Sequence, residues 1–227
     1  MNVTQYMNQR EEAIYLTKLT GILPALKLRR AMDVRPYIQA MMEGGARVIE
    51  ITMTTPGVLE SFRAIRDEFG DAVYMAAGTC LDAAAAFAAI QAGARVIVTP
   101  ATIPAVIETA RRYQVACYSG AFTATEVLTA VQAGADMVKI FPAALAGPKY
   151  MTNLQMVYPG LNLVPSGGID PESAAEFIRC GACAVSGARN FFDLAQIEAH
   201  GLIWVTQQTR RYIDIVKSAR ASAYPLP

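Results

Sequence analysis

The sequence predicts an α/β fold in which eight parallel strands close into a barrel, and three observations carry that expectation. One phrase recurs four times: Gly45-Ala46-Arg47-Val48-Ile49-Glu50, Gly93-Ala94-Arg95-Val96-Ile97-Val98, Gly134-Ala135-Asp136-Met137-Val138-Lys139 and Gly181-Ala182-Cys183-Ala184-Val185-Ser186. Each copy reads as a helix end, a glycine cap and a buried strand. The copies are separated by about twice the length of a short strand-helix unit, so a further strand belongs in every gap. The strand runs are also apolar almost throughout, as parallel strands covered on both faces must be.

Taken in order, residues before about Thr20 read as an extra N-terminal helix, followed by a strand over 22–27 and a helical pattern over 31–43. The first copy of the phrase supplies strand two, and helix 58–69 leads to strand three over 73–78. Helix 81–92 precedes the second copy, helix 103–113 precedes strand five over 115–118, and helix 124–133 precedes the third copy. Strand seven falls over 161–166, helix 171–180 leads to the fourth copy, and 203–217 supplies the last outer helix. Thr123 and Asp170 stand where N-caps are expected. Regular alternation favours a closed (β/α)8 barrel of the TIM type over an open doubly wound sheet, and the first repeat lacks the glycine fingerprint of a pyrophosphate loop. At 227 residues the chain is expected to be one domain over 1–227, with 221–227 as a loose tail.

Hydrophobic residues make up 53% of the chain, yet no apolar run reaches the roughly 18 residues needed to span a bilayer. The N-terminal residues lack the order of a secretion signal, so a soluble cytoplasmic protein is expected. With 20 basic and 19 acidic side chains, no global field points to nucleic acid or to a membrane surface. Cys80, Cys117, Cys180 and Cys183 read as reduced, mostly buried thiols. The Cys180 to Cys183 spacing lacks the second ligand pair a metal site needs. His200 is expected on the solvated surface, and Trp204 in the packing of the last helix or in a subunit contact.

In a barrel of this kind function collects where the strands end. Alternation puts Val48, Glu50 and Thr52 on one face of strand two, and Met137, Lys139 and Phe141 on one face of strand six. A buried ammonium is costly, so Lys139 inside an apolar run points to a nucleophilic amine, with Glu50 to move protons. Two readings of this pair are open: an iminium-forming site and a silent buried salt bridge. Thr79 ends strand three and Pro100 ends strand four; each also fits a local role, a helix cap for the hydroxyl and strand termination for the proline. The turn Pro165-Ser166-Gly167-Gly168-Ile169 lets backbone amides approach an anion, and Ser186-Gly187-Ala188-Arg189 supplies the second half of that site, with a guanidinium able to fork onto phosphate or carboxylate. Tight turns with a solvated arginine fit the same residues.

Together, Gly45 to Thr52, Ala77-Gly78-Thr79, Val98-Thr99-Pro100, Val138 to Ala143 and Pro165 to Ile169 resemble the successive signatures of the class I 2-keto-3-deoxy-6-phosphogluconate aldolases. That family includes the 4-hydroxy-2-oxoglutarate and 2-keto-3-deoxy-6-phosphogalactonate enzymes, and the likeness runs from about Leu19 to Asp193. The resemblance implies that Lys139 is the Schiff-base lysine and Glu50 the general acid/base. It places Thr79, Pro100 and Phe141 in the pyruvyl pocket, and Ser166, Gly167 and Gly168 in the phosphate loop. It further implies a homotrimer, a small 2-keto acid substrate, and a reaction that needs no metal or other cofactor.

Three departures stand out. Thr54 occupies the place of an arginine that helps hold the pyruvate carboxylate, and Lys27 at the end of strand one is the candidate substitute. Ala188 and Arg189 replace a glycine-serine pair that closes the phosphate loop. The resulting expectation is cleavage of a 2-keto-4-hydroxy acid to pyruvate and an aldehyde. The substrate is 2-keto-3-deoxy-6-phosphogluconate, giving glyceraldehyde 3-phosphate, or 4-hydroxy-2-oxoglutarate, giving glyoxylate. The alternatives are the phosphogalactonate analogue, an unphosphorylated keto acid, another phosphate-binding barrel enzyme, or a keto-acid binding barrel without catalysis.

Overall fold

The computed structural model describes residues 7–222. The chain runs α1 (Gln9–Thr20), β1 (Ile22–Leu26), α2 (Arg35–Glu43), β2 (Val48–Thr52), α3 (Val58–Phe69), β3 (Tyr74–Gly78), α4 (Ala83–Ala92), β4 (Val96–Val98), α5 (Pro104–Arg112) and β5 (Ala116–Ala121). It continues through α6 (Ala124–Ala133), β6 (Met137–Ile140), α7 (Ala143–Ala146), α8 (Pro148–Val157), β7 (Leu163–Pro165), α9 (Pro171–Arg179), β8 (Val185–Gly187), α10 (Leu194–His200) and α11 (Ile203–Ala221). All ladders are parallel, in the order β7-β6-β5-β4-β3-β2-β1-β8. The remaining seam, between β7 and β8, is bridged at Leu163 with Ala182 and at Ser166 with Ser186. Eight strands thus form the expected (β/α)8 barrel.

The glycines of the recurring phrase all have positive φ, from 92° at Gly134 to 112° at Gly93, so each reverses the chain from helix into strand without a Cβ penalty. Thr123 and Asp170 cap α6 and α9, each accepting from the backbone amide three residues on. Capping satisfies donors that the helix itself leaves free.

Two cores follow from strand alternation. The outer one lies between strands and helices and includes Ile49, Ile51, Ile97 and Phe62. The inner one fills the lumen with Leu23, Val48, Tyr74, Val98, Tyr118 and Met137, joined by Ala13 of α1. The N-terminal helix therefore caps the end of the barrel where the strands begin. The Tyr118 hydroxyl lies 2.8 Å from Thr17 Oγ1 and donates to the Ala13 carbonyl at 3.2 Å. Arg10 forks onto Asp136, just before β6, with its shortest contact at 2.6 Å. The tyrosines and α1 fill this end, so the lumen opens at the other, where the strands finish.

Several boundaries differ from the sequence reading. Strand five continues to Ala121 rather than ending at 118, and helix four starts at Ala83 rather than 81. The segment between β6 and β7 holds α7 and α8, which apolar periodicity did not mark, because Gly147-Pro148 splits it into pieces too short to show a repeat. Helix α10 was likewise not foreseen, although Asp193 caps it through the amides of Ala195 and Gln196. Helix α11 runs past 217 to Ala221, so the first residue assigned to the tail is helical; residues 223–227 lie outside the described residues. Ala219 is buried and the Arg220 guanidinium donates to the carbonyls of Lys18 and Cys183, both at 2.6 Å, which anchors that last turn. His200 is exposed at the end of α10, and Trp204 packs part-buried against the outer core.

Candidate active site

Lys139 pairs in register with Gly120 on β5 and Val164 on β7, and Glu50 with Ala25 on β1 and Ala76 on β3. Residues paired across parallel strands share a face, and Val164 and Ala76 belong to the lumen, so both ionisable side chains point inward. Lys139 Nζ lies 3.4 and 3.5 Å from the two Glu50 carboxylate oxygens. These separations are at the long edge of hydrogen bonding, so the contact is one of charge more than of directed bonds. Glu50 is 2% exposed and Lys139 9%.

Small residues make this arrangement possible. A Cβ at Gly78 would stand 2.6 Å from Glu50 Cδ, and one at Gly120 would collide with the backbone of Pro100 and Ala101. Ala25 and Ala76 contribute only methyls on the Glu50 level. Tyrosines fill the lower lumen while alanine and glycine line the upper, so the barrel narrows below and opens above into a cavity of about 400 Å³.

Around that cavity the structure gathers most of the residues singled out from the sequence. Lys139, Glu50, Thr79, Pro100 and Phe141 line one side, with Lys27 at the end of β1. Ser166, Gly167 and Gly168 form the wall after β7, and Arg189 the rim after β8. The Arg189 side chain is 93% exposed and reaches Asp193 only at 3.7 Å, so it does not fill the cavity. Thr54 is different: it is exposed, outside the lining, and its hydroxyl is 2.9 Å from that of Thr52, which does line the cavity. Two side chains too short to replace a guanidinium thus stand at the end of β2 and on the turn after it.

Thr79 does not cap the next helix. Asp82 does, accepting from Ala85 N at 2.7 Å. Instead Thr79 has φ of 59°, a left-handed conformation that costs a β-branched residue on the order of 1–3 kcal/mol and is tolerated where the surroundings impose it. Gly167 and Gly168 also have positive φ, of 87° and 76°, and a Cβ at Gly167 would lie 2.9 Å from the Phe141 ring. That turn needs glycine for both conformation and space.

Thr52, placed on the Glu50 face by alternation, and Ser186, which opens the turn after strand eight, also line the cavity, as does Asn190, which sequence reasoning did not assign. Alternation fixes the side Thr52 faces, whereas on the three-residue strand β8 the same rule is weak and left the direction of the Ser186 side chain open. Asn190 Nδ2 donates to the Ile169 carbonyl and so ties the loop after β8 to the glycine turn. Burial, then the negative charge of Glu50, pushes the neighbouring Cys80 thiol up to about 12, which keeps it protonated and unsuited to nucleophilic work. Among the described residues no cluster of His, Cys, Asp and Glu is able to hold a metal. No described helix is long and apolar enough to cross a membrane.

A parallel barrel with a lysine facing a carboxylate in its open end has the layout of an enzyme acting on small carbonyl compounds. A profile of the KDPG and KHG aldolase family matches residues 14–208, and the chain belongs to that family. It is an aldolase, a carbon–carbon lyase. It is 34% identical over 169 residues to the 2-dehydro-3-deoxy-6-phosphogalactonate aldolase of Escherichia coli strain K12, covering 73% of this chain and 82% of the relative. It is 32% identical over 196 residues to the 2-dehydro-3-deoxy-phosphogluconate aldolase of Treponema pallidum strain Nichols, covering 86% and 93%. Among solved structures, one described as native KDPGal superposes with a TM-score of 0.80 at 28% identity, covering 87% of this chain and 95% of the other.

Proposed function

We propose that this aldolase works through a Schiff base on Lys139 and cleaves a 2-keto-4-hydroxy acid to pyruvate and an aldehyde. The carrying observation is the buried Lys139–Glu50 contact at 3.4 Å in the open end of the barrel. Uncharged Lys139 adds to the C2 ketone, and the carbinolamine loses water to leave an iminium. Glu50 takes the proton of the C4 hydroxyl as the C3–C4 bond breaks, and the bonding electrons flow into the iminium to give an enamine. Protonation of C3 by Glu50 and addition of water release pyruvate and restore the amine. The 3.4 Å separation also lets Glu50 receive the proton that Lys139 loses before attack; Glu50 hands it to the carbinolamine oxygen as water leaves and is a carboxylate again when the C4 hydroxyl is deprotonated.

Thr79, Pro100 and Phe141 enclose the pyruvyl group in this reading, and Ser166, Gly167 and Gly168 receive the distal group, with Arg189 exposed at the rim, loosely paired with Asp193, to meet a phosphate or carboxylate. The names of the relatives support 2-keto-3-deoxy-6-phosphogluconate or its phosphogalactonate analogue, and the family extends to 4-hydroxy-2-oxoglutarate. The reading includes a cytoplasmic homotrimer. Phe87 of α4 and Tyr113 at the end of α5, exposed and with ring centroids 5.2 Å apart, support a subunit contact on that side. Sedimentation at micromolar concentration measures the assembly.

Borohydride reduction in the presence of pyruvate tests the proposal directly. A reduced three-carbon adduct on Lys139 is expected by peptide mass mapping, and an intact protein without it overturns the mechanism. Lys27 takes over the carboxylate in the absence of an arginine at Thr54. Lys27→Ala is therefore expected to raise KM for the keto acid roughly tenfold with kcat nearly unchanged, the pattern left by losing one charge-assisted contact present in both ground and transition states. An unchanged KM in steady-state pyruvate-release assays assigns the carboxylate to another group.

A further inference from the structure

One polar atom in the cavity is unaccounted for by the reaction. Ser186 is 2% exposed, lines the cavity, and its hydroxyl meets no hydrogen-bond partner among the described residues. A buried hydroxyl left unpaired is destabilising, and such atoms in folded proteins call for a partner. The position of this one says what the partner is. Lys139 pairs with Val164 on β7, and Ser166 is the next inward position towards the mouth on that strand. Ser166 bridges to Ser186 across the seam between β7 and β8. Paired residues share a face, so the two serines form a ledge between the amine and the Gly167-Gly168 turn. A substrate held at C2 by Lys139 and at its far end by that turn passes this ledge with its intermediate carbons. Ser186 carries no charge, and the cations of the outer cavity, Lys27 and Arg189, are exposed side chains nearer the rim. A neutral buried hydroxyl is matched by a neutral hydroxyl better than by a carboxylate that must be stripped of water.

We propose that Ser186 hydrogen-bonds the C5 hydroxyl of the substrate, and that this contact selects polyhydroxylated 2-keto-3-deoxy acids over 4-hydroxy-2-oxoglutarate, which has a carboxylate at C5. The inference rests on the aldolase reading above, and the experiment separates the two. Pyruvate is condensed with D-glyceraldehyde, D-glyceraldehyde 3-phosphate and glyoxylate by the wild type and by Ser186→Ala, alongside borohydride trapping with pyruvate alone and a thermal melt. The wild type is expected to favour both glyceraldehydes over glyoxylate. Ser186→Ala is expected to lose about tenfold in kcat/KM with each glyceraldehyde, to keep its glyoxylate rate and pyruvate adduct, and to melt no lower than the wild type. Equal losses on all three aldehydes, no loss on the glyceraldehydes, a wild type that accepts glyoxylate alone, or a lost adduct in the variant each overturn the role of Ser186. A wild type that forms no pyruvate adduct overturns the Schiff-base reading instead.

Discussion

Lys139→Met is expected to lower kcat by about 10⁴-fold or more, because without a primary amine no iminium forms and the C3–C4 electrons have no sink. Methionine keeps the length and apolar stem of lysine, so packing around β6 is largely preserved. Charge balance is not: Glu50 is 2% exposed and Lys139 is its ion-pair partner among the described residues. Removing one member of a buried pair costs roughly 3–5 kcal/mol. The single variant is therefore expected to be inactive and less stable, and inactivity alone is ambiguous. The double variant Lys139→Met, Glu50→Gln removes both charges and is expected to recover much of the lost stability while staying inactive and untrapped by borohydride. Turnover in either variant, measured by pyruvate release on folded protein, would falsify the assignment of the nucleophile.

The barrel was readable because each of its units repeats one local instruction. A glycine ends the helix in a left-handed conformation and an apolar run follows at once, as at Gly93 and Val96 to Val98. Such signals need no knowledge of distant residues. Lys139 and Glu50 were readable for a related reason: a charge inside an apolar strand is conspicuous, and alternation fixes the side it faces. What escaped the sequence depends on separation in space. That the Ser186 hydroxyl is left unpaired, and that Thr79 is held at a φ of 59°, are visible only once the neighbours are in place. Thr54 stands at a position named by resemblance, yet its side chain turns to Thr52 and solvent rather than to the cavity. A motif fixes a place in the chain; the direction of a short side chain on a turn is set by local hydrogen bonding.

Gly78 offers the second large effect, since its role lies in an atom it lacks. It ends β3 in register with Thr52, and Met53 donates to its carbonyl at 2.7 Å, so its backbone is held against β2 just beyond Glu50. In Gly78→Ala the new methyl would stand 2.6 Å from Glu50 Cδ and 2.7 Å from Cγ, closer than van der Waals contact permits. Buried between strands, the carboxylate has to move away from Lys139 or the strands must part. Overpacking of this kind costs about 1–3 kcal/mol, and a shift of about 1 Å in a proton-transfer group lowers kcat by about 10²-fold. Glu50→Gln should lower kcat by a comparable or larger factor, about 10² to 10⁴, without crowding. Both changes act on one carboxylate, so the pair is expected to be strongly non-additive: Gly78→Ala adds destabilisation to Glu50→Gln but little further loss of kcat. Rate losses that multiply in the double variant would mean that Gly78 shapes the cavity by a route independent of Glu50.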